Sequence, residues 1–380
     1  MIAETTAPVL SPWAPPRSFE LPPVSAVLGP LPEHFVVEEI PAYPLSGQGE
    51  HLYLWVEKVG LNTADVAKRL AQVSGIKERD IGFAGMKDKH AVTRQWFSLP
   101  CATAPTETWQ LGEGARIVSV TRHNNKLRTG HLIGNRFQLT LVDVSPADVV
   151  RAQDITERLL KQGFVNSYGG QRFGYQGKNL AQAVRWLKEQ TATSTRSDAA
   201  EAEQTRGRSR DKRRPNSRFD NKLHPSVIQS EFFNRYAFAR LKLQTELLLG
   251  EVVRLSGTGT HFVVEDVERE LPRKRAGDLL LTGPMPGEKT LKARDQALEL
   301  EQTVWNEMGW TARDVQALCA QAPGARRDLW TTPEDLRCLH HGDQLLLSFT
   351  LPAGGYATEV LRQYNDCDWL NPKGTPAGRP

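Results

Sequence analysis

The residues best equipped for chemistry lie in one short turn. Lys87, Asp88, Lys89 and His90 follow an apolar run ending at Ile81 and Phe83, and precede the β-prone Trp96, Phe97 and Leu99. The segment reads strand, turn, strand. A carboxylate between two lysines stays ionised, because nearby positive charge favours its charged form. An ionised Asp88 suits a nucleophile or a base working beside a polyanion. The same residues also make an ordinary solvated turn, where Asp tolerates tight geometry. Gly85 is expected to supply a backbone conformation that a β-carbon resists.

Local patterns show what must hold this turn. Phe35-Val36-Val37-Glu38-Glu39-Ile40 reads as a strand, and His51-Leu52-Tyr53-Leu54-Trp55-Val56-Glu57 alternates with period two, Leu52, Leu54 and Val56 sharing a face. A helix follows from Asn62 or Thr63, with Asn62 as cap, Asp65 in the positive first turn, Val66, Ala67, Leu70 and Val73 as its apolar side, and Gly75 as its end. Strands are expected over residues 116–120 and 137–142. The polar stretch from His123 to His131 between them fits either phosphate contact or a solvated loop. Ser145-Pro146 opens another helix, to about Lys161. These elements predict an α+β fold with a largely antiparallel sheet.

The next region is more helical. Helices are predicted over residues 180–190, 227–249, 292–308 and 311–319. Ser256-Gly257-Thr258-Gly259 lacks the later glycine of a dinucleotide fingerprint and the Gly-Lys-Ser/Thr of a P-loop, so it reads as a strand-to-strand turn. A strand at residues 344–350 and a helix from Tyr356 to Tyr364 then return to the style of the first 160 residues. Domain limits are accordingly expected at residues 25–162 plus 331–370 for one domain and 163–330 for an insertion. Residues 1–24 and the Ser/Thr/Arg-rich stretch 191–222 are expected to be disordered.

Composition bounds the function. The chain has 380 residues, 39% hydrophobic and 8% aromatic, ordinary for a globular protein of two or three domains. No membrane span is expected, because no apolar run approaches the necessary length. The Pro-rich start has no signal-peptide layout, which points to the cytoplasm. Cys101, Cys319, Cys338 and Cys367 form no CxxC pair, so neither a metal site nor a disulfide framework is expected. The net charge of +4 hints at an anionic partner. Residues 191–222 hold nine Lys/Arg and five Asp/Glu, leaving 39 of each sign elsewhere, so the excess belongs to that segment and not to a groove.

Three stretches together resemble one family. Gly85-Met86-Lys87-Asp88-Lys89-His90-Ala91-Val92-Thr93-Arg94-Gln95 resembles the signature of the TruD family of tRNA pseudouridine synthases. Asn166-Ser167-Tyr168-Gly169-Gly170-Gln171-Arg172-Phe173-Gly174 resembles its second motif. Leu351-Pro352-Ala353-Gly354-Gly355-Tyr356-Ala357-Thr358-Glu359-Val360-Leu361-Arg362 resembles its third. The similarity runs from about residue 31 to 362, interrupted at 191–222. It implies a pseudouridine synthase-like domain, mostly antiparallel, with an inserted family-specific α/β domain. It further implies Asp88 as the catalytic carboxylate, Phe35, Asn135 and Tyr356 as substrate contacts, and Glu33, Lys87 and Phe137 in support. The implied partner is tRNA, modified at uridine-13 of the D arm by a monomer needing neither cofactor nor metal. Tyr356 stands where Phe is frequent, and Ser167 where an aromatic is usual. Read from the residues alone, Phe35 and Tyr356 are more readily plain core, and Asn135 a turn residue tolerating positive φ. Rival readings are an inactive RNA-binding protein on the same fold and an RNA methyltransferase, although no Gly-rich cofactor fingerprint is visible.

Overall fold

The computed structural model describes residues 15–100, 109–201 and 220–365. The chain divides into two compact units. The first is Phe19–Gly163 with the chain from Thr332 onward, and the second is Phe164–Thr331 with residues up to Ser18. In chain order, the first unit starts with β1 (Val27–Leu28), β2 (Phe35–Pro41), β3 (His51–Lys58), α1 (Thr63–Ser74), β4 (Gly82–Phe83), β5 (Val92–Pro100), β6 (Ala115–His123), β7 (Leu132–Val142) and α2 (Pro146–Gln162). The second contains β8 (Phe164–Val165), α3 (Gly170–Phe173), α4 (Lys178–Glu201), α5 (Asp220–Lys242), β9 (Val252–Leu255), β10 (His261–Val263), α6 (Val267–Arg275), β11 (Leu279–Met285), α7 (Asp295–Glu307), α8 (Ala312–Gln321), β12 (Ala325–Asp328) and β13 (Trp330–Thr331). The chain returns to the first unit with β14 (Glu334–His341), β15 (Gln344–Pro352) and α9 (Ala357–Tyr364).

The first unit is built on one sheet in the order β14-β15-β7-β2-β5-β3-β6, with β1 added to β7 and β4 to β5. Its pairs are antiparallel except β2 with β5. Side chains alternate between the two faces of a strand, so cross-strand register decides which residues meet. One row on one face is Lys58, Thr93, Val37, Phe137 and Phe349, each opposite the next. The adjacent row contains Glu39, Asn135 and Leu351. The opposite face carries a ladder of alternating charge, Arg136, Glu38, Arg94, Glu57 and Arg116, joined by ion pairs along its length.

Helix α1 packs on the sheet for reasons visible in its sequence. The N–H of Asn62 donates to Asp65 Oδ2 at 2.9 Å, satisfying a donor that the helix start leaves over. Gly75 ends the helix at φ 73°, a left-handed conformation that favours glycine. Val66, Ala67 and Leu70 are buried against Leu52, Leu54, Val56, Phe97 and Leu99. Ile81 is buried in this core and Phe83 packs against it, just ahead of the segment that carries Asp88.

The second unit has the antiparallel sheet β10-β9-β11-β12, with α5 packed on β11. Asn166, just after β8, and Arg327, in β12, tie two distant parts of this unit together. Arg327 Nε donates to the Asn166 carbonyl at 3.0 Å, and its Nη2 donates to Asn166 Oδ1. The Arg327 guanidinium also lies 4.3 Å from the centre of the Tyr168 ring. The second sequence motif is thus a packed junction, with the Tyr168 backbone bracketed by the Asn234 amide at 2.8 and 2.7 Å.

Several expectations need correction. The segment 1–24 is not disordered throughout: from residue 15 the chain is placed, and Val24 is buried with its N–H donating to the Tyr364 carbonyl at 2.8 Å. Residues 1–14 lie outside the described residues. The segment 191–222 is likewise helical at both ends, because α4 continues to Glu201 and α5 begins at Asp220. Thr191 extends α4 by donating to the Leu187 carbonyl at 3.0 Å and to Asp314 Oδ1 at 3.0 Å. Residues 202–219 lie outside the described residues. The helix expected at 227–249 occurs at Asp220–Lys242; Arg240, in its last turn, turns to Glu251 in a buried ion pair at 2.7 Å, and Gln244 takes a positive φ of 51°. Among the described residues no helix is long and apolar enough to cross a membrane.

Candidate active site

The turn that carries Asp88 is fixed from below by side chains that continue the apolar faces of β2, β3 and β5. Lys58 ends the buried stripe of Leu52, Leu54 and Val56, and is itself fully buried. Its Nζ donates to the Asp88 main-chain carbonyl at 2.6 Å. Burial pushes the Lys58 ammonium down to about 8; the charge of Asp88 pulls it back up, and that of Lys87 pushes it further down. A charge kept this deep is costly unless hydrogen-bonded, so the bond to Asp88 holds two things at once: the lysine in place and the turn against the sheet.

Thr63 and Gln95 complete the support. The Lys87 N–H donates to Thr63 Oγ1 at 2.9 Å, Thr63 Oγ1 donates to Gln95 Oε1 at 2.8 Å, and Gln95 Nε2 donates to the Gly85 carbonyl at 3.1 Å. The expectation for Gly85 is corrected here. It is absent from the positive-φ glycines, and a Cβ there would meet open space. The turn is shaped by the bonds to its carbonyls and N–H groups and not by a glycine-only conformation. Above the support, the His90 N–H donates to Asp88 Oδ1 at 3.0 Å, and Asp88 is half-buried.

Lys87 does not face Asp88. Its side chain is buried, 3.0 Å from Glu39 Oε2 and 2.5 Å from Asn135 Oδ1. Glu39 also accepts from the Trp96 N–H at 3.2 Å. Burial raises the Glu39 carboxyl, and the Lys87 charge opposes that rise. The structure thus brings Asp88, Lys87 and Asn135 into one network. Phe35 is half-buried, 6.5 Å from the Phe137 ring, and Phe137 stacks on Phe349 at 5.4 Å. Tyr356 is half-buried at the N-cap of α9, five residues beyond Leu351, which pairs with Asn135. Glu33 is exposed in the short turn Pro32–His34 and joins none of these bonds. The buried carboxylate of the site is Glu39.

Sequence reading overlooked Glu39, Lys58, Thr63 and Gln95. The signal for two of them was present: the period that places Phe35 and Val37 inward continues to Glu39, and that of Leu54 and Val56 continues to Lys58. The His123–His131 stretch is held to the body: Tyr53 Oη donates to the Asn125 carbonyl at 2.9 Å, and Leu127 is buried. A cavity of about 780 Å³ lies along the loop and strand from Trp109 to Val120, and none of the residues of the Asp88 network lines it. Among the described residues no group of three or more His, Cys, Asp or Glu is placed to hold a metal ion.

The family model for tRNA pseudouridine synthase D (TruD) matches residues 18–224 and 220–364. The chain belongs to the TruD family. It is 36% identical over 352 residues to the tRNA pseudouridine synthase D of an Anaeromyxobacter species, covering 92% of this chain and 95% of that one. It is 35% identical over 350 residues to the protein of the same name from Thermus thermophilus, covering 90% of each. The crystal structure of a chain described as TruD from Methanosarcina mazei superposes with a TM-score of 0.67 at 20% identity, covering 93% of this chain and 96% of that one. That likeness shows the shared α+β fold. The two residue ranges of the family match span the Asp88 turn, the Asn166 junction and the Tyr356 cap between them.

Proposed function

We propose that this chain isomerises uridine to pseudouridine in tRNA, at uridine-13 of the D arm, with Asp88 as the essential carboxylate and without a cofactor. The observation that carries the reading is the placement of Asp88, in a TruD chain, on a turn bonded from beneath by Lys58, Thr63 and Gln95, with Asn135 one contact away through Lys87. The reaction breaks the bond between uracil N1 and ribose C1′, turns the base and rejoins it through C5, releasing the C5 proton. Nothing is oxidised or hydrolysed. Asp88 assists cleavage or takes the proton. The stacked target base must first leave the RNA stack. Phe35 and Tyr356 offer aromatic faces for it, each worth about 1–3 kcal/mol on a base. Phe137 braces Phe35 from behind, and the protein acts as a cytoplasmic monomer.

The test is tritium release from tRNA labelled at uracil C5, without added cofactor. Wild type is expected to release tritium, and Asp88→Asn to bind the tRNA with no release. A second substrate with cytidine at position 13 is expected to release none from that site. Wild-type binding without release, across a pool of unmodified tRNAs, would overturn the proposal and leave an RNA-binding protein on this fold.

A further inference from the structure

The Lys87 ammonium touches one atom of the Asn135 side-chain amide at 2.5 Å. An ammonium has only hydrogens to donate, so the atom it touches must be the amide oxygen. The orientation of an Asn amide is ordinarily ambiguous, and here chemistry decides it. The Lys87 side chain is 4% exposed and the Glu39 side chain fully buried, 3.0 Å apart, so the ammonium has a fixed counter-charge and little freedom to turn away. Glu39 in turn is held by the Trp96 N–H on the neighbouring strand. Asn135 is half-buried and lies opposite Glu39 in the sheet register. With its oxygen turned to Lys87, the other end of the amide is its N–H₂ group, a pure donor.

We infer that the Glu39–Lys87 pair is a specificity device: it locks Asn135 as a hydrogen-bond donor, so that the site accepts a base with a carbonyl at position 4 and rejects one with an amino group there. The inference rests on the reading that Asn135 meets the target base. Uracil offers O4 to the outward N–H, and its N3–H reaches the second lone pair of Asn135 Oδ1. Cytosine presents a donor at position 4 and an acceptor at N3, so both contacts turn repulsive or go unmade. Sites that leave buried polar groups unpaired discriminate by roughly 10⁴- to 10⁵-fold, and a half-exposed site is expected to reach less, on the order of 10²-fold. Lys87 and Glu39 are positioning residues in this scheme, acting on the base through Asn135.

The experiment compares the affinities of two unmodified tRNA transcripts that differ only in uridine or cytidine at position 13, beside the tritium-release rate. Wild type is expected to prefer the uridine transcript by about tenfold or more, a conservative floor for the discrimination argued above. Lys87→Met frees the amide to turn and brings the ratio close to one, and Lys87→Arg, still a pure donor, restores it. Asn135→Asp has no N–H to offer and is expected to reverse the preference toward cytidine. This variant reads the donor role even if Lys87→Met fails to fold. A wild-type ratio near one, an unchanged ratio in Lys87→Met, or a retained uridine preference in Asn135→Asp overturns the inference. Discrimination without tritium release would instead overturn the proposed reaction and leave the orientation device standing.

Discussion

Lys58 is the residue whose surroundings make the sharpest demands. Its ammonium is buried, bonded to the Asp88 carbonyl and lowered by burial to about 8. Lys58→Met keeps the length and removes the donor, so the Asp88 turn loses its tie to β3. The single-turnover rate is expected to fall about 10- to 100-fold, as for a lost positioning contact of about 1.4–2.7 kcal/mol, while tRNA affinity holds. The wild-type rate should decline as pH rises through about 8, where the ammonium gives up its charge. Stability moves the other way. The unfolded lysine holds its proton to a higher pH than the folded one, so stability attributable to Lys58 grows as pH rises from about 8 toward 10.5. A rate–pH profile and a urea titration at each pH separate the two. Parallel loss of both above about pH 8 would contradict this account.

At the scale of elements, the caps decide where helices begin. Ser145 and Asp148 form a reciprocal cap on α2, and Asp148 also reaches the approach to β1 by accepting from the Ser25 N–H and hydroxyl, each at 2.7 Å. Burial works against the Asp148 charge, but the Ser25 and Ser145 donors together hold its carboxyl down to about 2. A carboxyl lowered in the folded state stabilises above its unfolded pKa, about 4, and that contribution is lost as pH falls through about 2. Asp148→Ala leaves those donors in the interior without an acceptor, and is expected to cost about 2–3 kcal/mol. Urea unfolding at neutral pH measures it, and the difference between wild type and variant should shrink between about pH 4 and about pH 2. A difference that persists undiminished at the acid end of that range would assign the loss to packing.

For the whole molecule, the position of the insertion matters most. The continuous part of the second unit runs from Phe164 to Thr331, and those two residues are direct partners in the β8–β13 pair. Facing residues in an antiparallel pair lie about 5 Å apart, so a short Gly-Ser linker can replace residues 164–331. The first unit has its own sheet, its own helix α1 and its own buried core. The shortened protein is expected to unfold cooperatively as the first unit alone. Non-cooperative unfolding in calorimetry would mean that the first unit does not hold without the insertion.

The amino-acid sequence by itself determined the local elements and pointed to the turn that carries Asp88. Caps such as Asn62–Asp65, the Gly75 stop and the period-two strands depend on neighbours a few residues apart, and the three motifs are local strings. The boundaries that failed depended on distant partners. Val24 is placed by Tyr364, Thr191 by Asp314, and the end of α5 by Glu251. The tertiary structure alone decided what each charge in the site is for. From the string, Lys87 stands beside Asp88. In the folded chain adjacent side chains diverge, so Lys87 turns inward to Glu39 and Asn135, and the lysine that reaches Asp88 is Lys58, on another strand. Hydrogen bonds and Coulomb attraction act through distance in space, and sheet register sets that distance between residues far apart in the chain.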